Sequence, residues 1–111
     1  MKHITYGQKS LIVGDDAASA LLAYAAAVAR HRTGDHVTLM GFAADGNEIE
    51  ATLVLDSGTL IISESVRTSV SEPDNSAAVA DLRERTSRLD NPPAATDGDA
   101  VGGEQTLVDP Y

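Results

Sequence analysis

Two histidines flank an aspartate in the segment 31–36. Imidazole rings and a carboxylate are ligands that zinc accepts, so His31, Asp35 and His36 form a candidate metal site. Structural zinc normally has four protein ligands, and Gly34 loosens the geometry of this segment. The alternative interpretation is a cationic helix end followed by a strand. A small metal-dependent enzyme using these three residues is therefore one functional hypothesis.

Other catalytic signatures are absent from the sequence. The chain contains no cysteine, which excludes disulfides, thiolate metal sites and cysteine nucleophiles. None of its serines lies in a Gly-x-Ser-x-Gly turn, and its glycines form no phosphate-binding loop. Asp15 and Asp16 are adjacent, so on a helix their side chains point apart, and we interpret them as helix caps. The sequence predicts no further catalytic residue and no cofactor.

The chain is acidic, with a formal net charge of −9 over 111 residues. Such a charge repels phosphate backbones, so we expect no nucleic acid among its partners. It contains no apolar run long enough to span a membrane, and its N-terminus lacks the apolar core of a signal peptide. We therefore expect a cytoplasmic protein with no membrane partner. The abundance of Ala, Asp, Val and Arg, with little Lys, is typical of GC-rich bacterial genomes.

The best-marked element is a helix over 17–32, which is rich in Ala and Leu and free of Gly and Pro. Asp15 or Asp16 precedes it as a cap. We expect Gly34 to take the left-handed conformation that ends it. Its apolar face follows helical spacing and includes Ala18, Leu21, Leu22, Ala25 and Val28.

Five short strands are predicted around this helix, at about 2–6, 9–13, 36–43, 48–55 and 59–66. Gly7 and Gly46 mark tight turns between them, because glycine adopts positive φ without strain. The resulting order, β-β-α-β-β-β, predicts a two-layer α+β fold. In it, one main helix packs on a mostly antiparallel sheet. This order is compatible with the β-grasp arrangement of ubiquitin-like domains.

The composition changes after residue 66. We expect residues 1–67 to form a small α+β domain. The remainder, 68–111, is predicted as a linker, a weak amphipathic helix at about 75–89 and a disordered acidic tail. Asp74, Asn75 or Ser76 is the expected cap of that helix.

One helix cannot cover both faces of a five-stranded sheet, so either the C-terminal segment or another subunit covers the remaining apolar strand residues. The preferred hypothesis is a non-catalytic protein-interaction module that binds a protein partner or a second copy of itself. The predicted interaction surface consists of apolar residues on the strands and the second helix: Met40, Phe42, Ile61, Val79, Leu82 and Leu89.

A further alternative follows from the negative charge. An acidic inhibitor that mimics nucleic acid would occupy the basic cleft of a DNA-binding protein. Such an inhibitor needs carboxylates ordered along one face, and Glu48 and Glu50 form a short row of this kind.

Overall fold

The computed structural model describes residues 1–92, which contain two helices and five strands. The predicted α+β class and the order β-β-α-β-β-β are confirmed, and the helix predicted at about 75–89 is present as α2. The predicted acidic tail beyond residue 92 lies outside the described residues. In chain order the elements are β1 (Lys2–Tyr6), β2 (Lys9–Val13), α1 (Asp15–Arg30), β3 (Asp35–Phe42), β4 (Glu48–Leu55), β5 (Ile61–Ser65) and α2 (Ser76–Asp90).

The five strands form one antiparallel sheet in the order β4-β3-β2-β1-β5. The predicted turn glycines are confirmed, with φ of 60° at Gly7 and 89° at Gly46. The chain does not have the β-grasp arrangement, in which the first and last strands are parallel neighbours inside the sheet. Here β5 lies at the sheet edge and pairs antiparallel with β1.

The sheet is strongly curled. Residues 56–60 connect β4 to β5, although these strands lie at opposite edges. In a flat sheet the edges would be about 19 Å apart, close to the full reach of a connection of about five residues. This connection is not extended, since the Thr59 amide donates to the Asp56 carbonyl at 3.3 Å. The two edges must therefore approach each other, and the Tyr6 hydroxyl on β1 donates a hydrogen bond to the Val54 carbonyl on β4.

Both helices lie on the inner face of the curled sheet and form the second layer. Leu21 and Val28 of α1 are fully buried. The small side chains on the same helix face, such as Ala17 and Ala18, allow α1 to approach the strands closely. The inward residues of four strands complete this core: Ile4, Leu11, Val13, Val37, Leu39, Leu53 and Leu55.

The second helix packs beside α1 and belongs to the same core. Val79 is 9% exposed and Leu82 is 2% exposed, and both join the cluster around Leu21. Both helices therefore pack into one core, and this core includes residues beyond 67. The sequence pattern underrates α2 because only two of its side chains are buried.

The N-terminus of α2 fills a gap in the sheet. The strands β2 and β3 pair only at Ile12 and Phe42, which leaves the rest of that edge of β3 without a strand. Asn75 is buried beside this edge. Its Oδ1 accepts from the Met40 amide at 2.9 Å, and its Nδ2 donates to the Met40 carbonyl at 2.7 Å. The side chain therefore does not cap α2, although Asn75 occupies the N-cap position.

The N-terminus of α1 also differs from expectation. The N-cap residue is Gly14, and no side chain caps the helix. Asp15 and Asp16 lie within the first turn, where their charge favours the positive end of the helix. Asp15 pairs with the N-terminal amine of Met1 at 3.1 Å, which uses the carboxylate that was expected to cap.

The C-terminus of α1 ends in a left-handed residue, but this residue is Arg32 with φ of 53° rather than Gly34. The Thr33 amide donates to the Val28 carbonyl and the Arg32 amide to the Ala29 carbonyl. These two bonds form the Schellman motif. The left-handed residue thus lies two positions before the glycine that was expected to take this conformation.

None of the helices within residues 1–92 combines the length and the apolarity needed to cross a lipid bilayer.

Candidate functional site

Two of the three proposed metal ligands, Asp35 and His31, contact other groups. Asp35 sits at the start of β3, where its Oδ2 accepts hydrogen bonds from the Tyr24 hydroxyl and from Arg85 Nη1, the latter at 3.0 Å. The hydrogen bond from Tyr24 holds the pKa of Asp35 below its ordinary value, and the His36 amide and Arg85 add to this effect. Asp35 is thus an anion held by a cation, in a cluster that joins α1, β3 and α2.

The two histidines lie apart from this cluster. His31 contacts Asp90 at the end of α2, with Nε2 3.0 Å from Oδ1. The His36 side chain is exposed on the opposite face of β3 from Asp35, because successive residues of a strand point to opposite faces. Within residues 1–92, no three His, Asp or Glu side chains are grouped so that they could hold a metal ion. The structure does not bring His31, Asp35 and His36 together.

The predicted interaction residues do not form one surface. Val79 and Leu82 are buried in the core, and Leu89 is half-buried against it. Ile61 also packs against the core from the inner face. The remaining members, Met40 and Phe42, are half-buried on the outer face of the sheet.

Both helices pack on the inner side of the sheet, and only the start of α2 borders this outer face, beside Met40 and Glu50. Its centre is apolar, with Ile12 of β2 paired opposite Phe42 of β3 and Met40 next in line. Sequence reasoning missed Ile12, which lies between two inward-facing residues of β2. Strand alternation indicates that Ile12 faces outward, but only the register places it beside Phe42.

Carboxylates flank this apolar centre on two sides. Glu48 pairs opposite Phe42 and Glu50 opposite Met40 in the register of β3 with β4. On the far side, Glu64 of β5 lies opposite His3, with 3.6 Å between its Oε1 and the His3 Nδ1. The strand alternation places no Lys or Arg on the outer face of these five strands. This face therefore carries an apolar centre with Glu48 and Glu50 on one side and the His3–Glu64 pair on the other, and we call it the acidic sheet face.

Two large apolar side chains lie at the margins of the acidic sheet face. Val54 of β4 is 59% exposed and Ile62 of β5 is 49% exposed. Leu60, in the connection between these strands, is 76% exposed. The curl of the sheet brings β4 and β5 towards each other, so the three residues flank one seam. Exposed residues of this size at a sheet edge are typical of contact surfaces.

No protein-family model, no curated protein and no solved structure matches this chain.

Proposed function

We propose that this chain is a non-catalytic protein-interaction module whose acidic sheet face binds a basic protein partner. One observation carries the proposal. Glu48 and Glu50 on one side and Glu64, paired with His3, on the other flank an apolar centre on a face to which the five strands contribute no Lys or Arg. The apolar centre gives a partner area to bury, and the carboxylates favour a partner that carries Lys or Arg around its own apolar contact.

The same face bears on the hypothesis of a nucleic-acid mimic. A mimic presents carboxylates to a cleft built for phosphates, and such a cleft is lined by cations. Ile12 and Phe42 have no counterpart in a phosphate backbone. The apolar centre therefore favours a protein surface with an apolar contact of its own over an empty nucleic-acid cleft.

Self-association is the second candidate, and the seam favours it. Val54, Leu60 and Ile62 are exposed apolar residues beside two strand edges that pair with no further strand of the described chain. Two copies that met at this seam would keep their acidic sheet faces apart. Light scattering after size exclusion tests the idea. We expect a dimer that Leu60→Asp converts to a monomer, and a wild-type monomer at high concentration would contradict it.

The proposed function is tested by affinity capture from the native host with charge-reversal variants. We expect the double variant Glu48→Lys, Glu50→Lys to capture at least about tenfold less of a basic protein than the wild type does. Each reversal places a lysine of the variant opposite a cation of the partner. Glu84→Lys is the matched control, because Glu84 is an exposed glutamate on α2, away from the sheet.

Salt gives the second readout of this experiment. Capture through exposed charges weakens as ionic strength rises, so wild-type recovery should fall between about 0.1 M and 1 M salt. Equal capture by wild type and by the Glu48→Lys, Glu50→Lys variant would refute the proposed function. Equal losses for that variant and for Glu84→Lys would also refute it, because the effect would then follow net charge alone.

A further inference from the structure

The inner face of the sheet contains a groove that the helices do not reach. Its volume is about 690 Å³, within the range of small-molecule sites. The lining residues come from β1, β2, β4 and the loops beside them, and none comes from α1 or α2. The walls are mostly apolar and face each other across the curl: Ile4 and Leu11 on one side, and Ile49, Ala51 and Leu53 on the other.

The structure explains why this groove stays open. α1 and α2 cover the part of the sheet near Val13, Val37 and Leu55, all of which are buried. Towards the hairpin turns, Ile49 and Ala51 are only half-buried. The groove therefore has a buried floor at Ile4, Leu11 and Leu53 and a half-buried rim at Ile49 and Ala51. An apolar ligand that covers this rim gains free energy by burying apolar area.

A single cation stands at the rim of the groove. Lys9 follows the β1–β2 turn on the same face as Leu11, and within residues 1–92 no carboxylate lies within 4.0 Å of its amine. The other charged lining residue is Asp45. Its carboxylate accepts hydrogen bonds from the backbone amide and the side-chain Nδ2 of Asn47, at 3.0 and 3.1 Å, within the same turn. The groove thus offers apolar walls and one available positive charge.

We propose that this groove binds a linear aliphatic carboxylate, with the hydrocarbon chain between the β1–β2 and β3–β4 hairpins and the carboxylate at Lys9. An elongated chain fits a groove between two hairpins, and the apolar walls bury its methylene groups. Lys9 supplies the charge that distinguishes an acid from an alcohol or an amine of equal length. This site is independent of the acidic sheet face, which lies on the other side of the sheet.

The test uses the full chain and three ligands of equal length: decanoate, decanol and decylamine. Chemical shifts of the Ile49, Ala51 and Lys9 amides report binding in a two-dimensional amide spectrum. We expect saturable shifts with decanoate, and about two- to fivefold weaker binding of decanol, the range of an exposed ion pair. Decylamine should bind more weakly still, because its charge repels Lys9.

Two variants and a control complete the test. Lys9→Ala should bind decanoate and decanol equally, and Ala51→Phe should fill the groove and abolish both. Lys2→Ala is the matched control, because Lys2 lies at the other end of β1 and its amine donates to Ser65 Oγ at 3.0 Å. The absence of saturable shifts with decanoate would overturn the proposal. Equal affinity for the three ligands, or a Lys2→Ala effect as large as that of Lys9→Ala, would also overturn it.

Discussion

Side chains take the place of missing strand partners at three positions in this protein. Asn75 binds both backbone groups of Met40, and Arg85 Nη1 donates to the His36 carbonyl at 3.1 Å on the same edge of β3. Tyr6 donates to the Val54 carbonyl at the free edge of β4. Unpaired strand edges are templates for aggregation, so these contacts limit strand addition at these edges and also stabilise the fold.

The most consequential of these contacts is that of Asn75. In the Asn75→Ala variant, the amide and the carbonyl of Met40 lose their side-chain partner. We expect a loss of about 2–4 kcal/mol in the free energy of unfolding, since each orphaned buried group costs about 1–3 kcal/mol. Urea unfolding measures this loss. Asn47→Ala, in an exposed turn, is the control, and equal effects of the two variants would contradict this role of Asn75.

The left-handed Arg32 yields a second prediction. Arg32→Gly should stabilise the protein by about 0.5–1 kcal/mol, because glycine adopts positive φ without the steric cost that arginine bears. Gly34 does not have positive φ, and an added Cβ there would lie 3.5 Å from the Leu55 carbonyl, an ordinary contact. Gly34→Ala should therefore be tolerated. Thermal unfolding of both variants tests these two expectations. A large loss of stability in Gly34→Ala would support the sequence-based prediction that Gly34 is the left-handed residue that ends α1.

Asp35 makes stability depend on pH. Its pKa in the folded protein is lowered, above all by the Tyr24 hydrogen bond. Because the folded pKa is lowered, Asp35 stabilises the fold at pH values above 3.8, its pKa in the unfolded chain. This stabilisation is lost as the pH falls through the folded pKa. The difference in unfolding free energy between wild type and Asp35→Asn should thus be largest near neutral pH and shrink below about pH 4. A difference that stays constant from pH 6 to pH 2.5 would exclude this linkage.

At the scale of elements, local signals predicted most of the structure. Alternation and turn glycines placed the strands within about two residues, because both signals reside in neighbouring positions of the chain. The residue-level partners were not predictable in this way. Asn75 and Met40 are 35 positions apart, and nothing in the sequence near either one indicates the other.

The sequence left open whether α2 docks on the domain, for a related reason. Val79 and Leu82 are its only buried residues, too few for a convincing amphipathic pattern. Much of its attachment is polar and long-range, as in the pairs of Arg85 with Asp35 at 3.0 Å and Arg30 with Asp90 at 2.7 Å. Such contacts depend on the tertiary structure, which local periodicity does not report.

A prediction at this scale follows from the shared core. Leu82→Ala should cost about 2–4 kcal/mol of unfolding free energy, the range for a buried leucine. Arg88→Ala, at an exposed position of the same helix, should change it by less than about 0.5 kcal/mol. A fragment of residues 1–67 should lose cooperative thermal unfolding, whereas 1–92 should retain it. Cooperative unfolding of the 1–67 fragment at the wild-type temperature would mean that α2 is dispensable.

At the scale of the whole molecule, the curl of the sheet determines which surfaces are available. It encloses the helices and the groove on the inner side and leaves the acidic sheet face outside. The sequence predicted an incompletely covered sheet, and it predicted Met40 and Phe42 as part of the contact surface. It could not assign Glu64 to the same face, because that assignment needs β5 to pair with β1 across most of the chain.

Carboxyl labelling of the partner-bound protein, read by mass spectrometry, tests the central claim most directly. In the complex recovered by affinity capture, we expect reduced labelling of Glu48, Glu50 and Glu64 relative to the free protein. Glu84, on α2, should be labelled equally in both states. Unchanged labelling of the three sheet glutamates, with protection elsewhere on the protein, would contradict the assignment of the acidic sheet face as the binding surface.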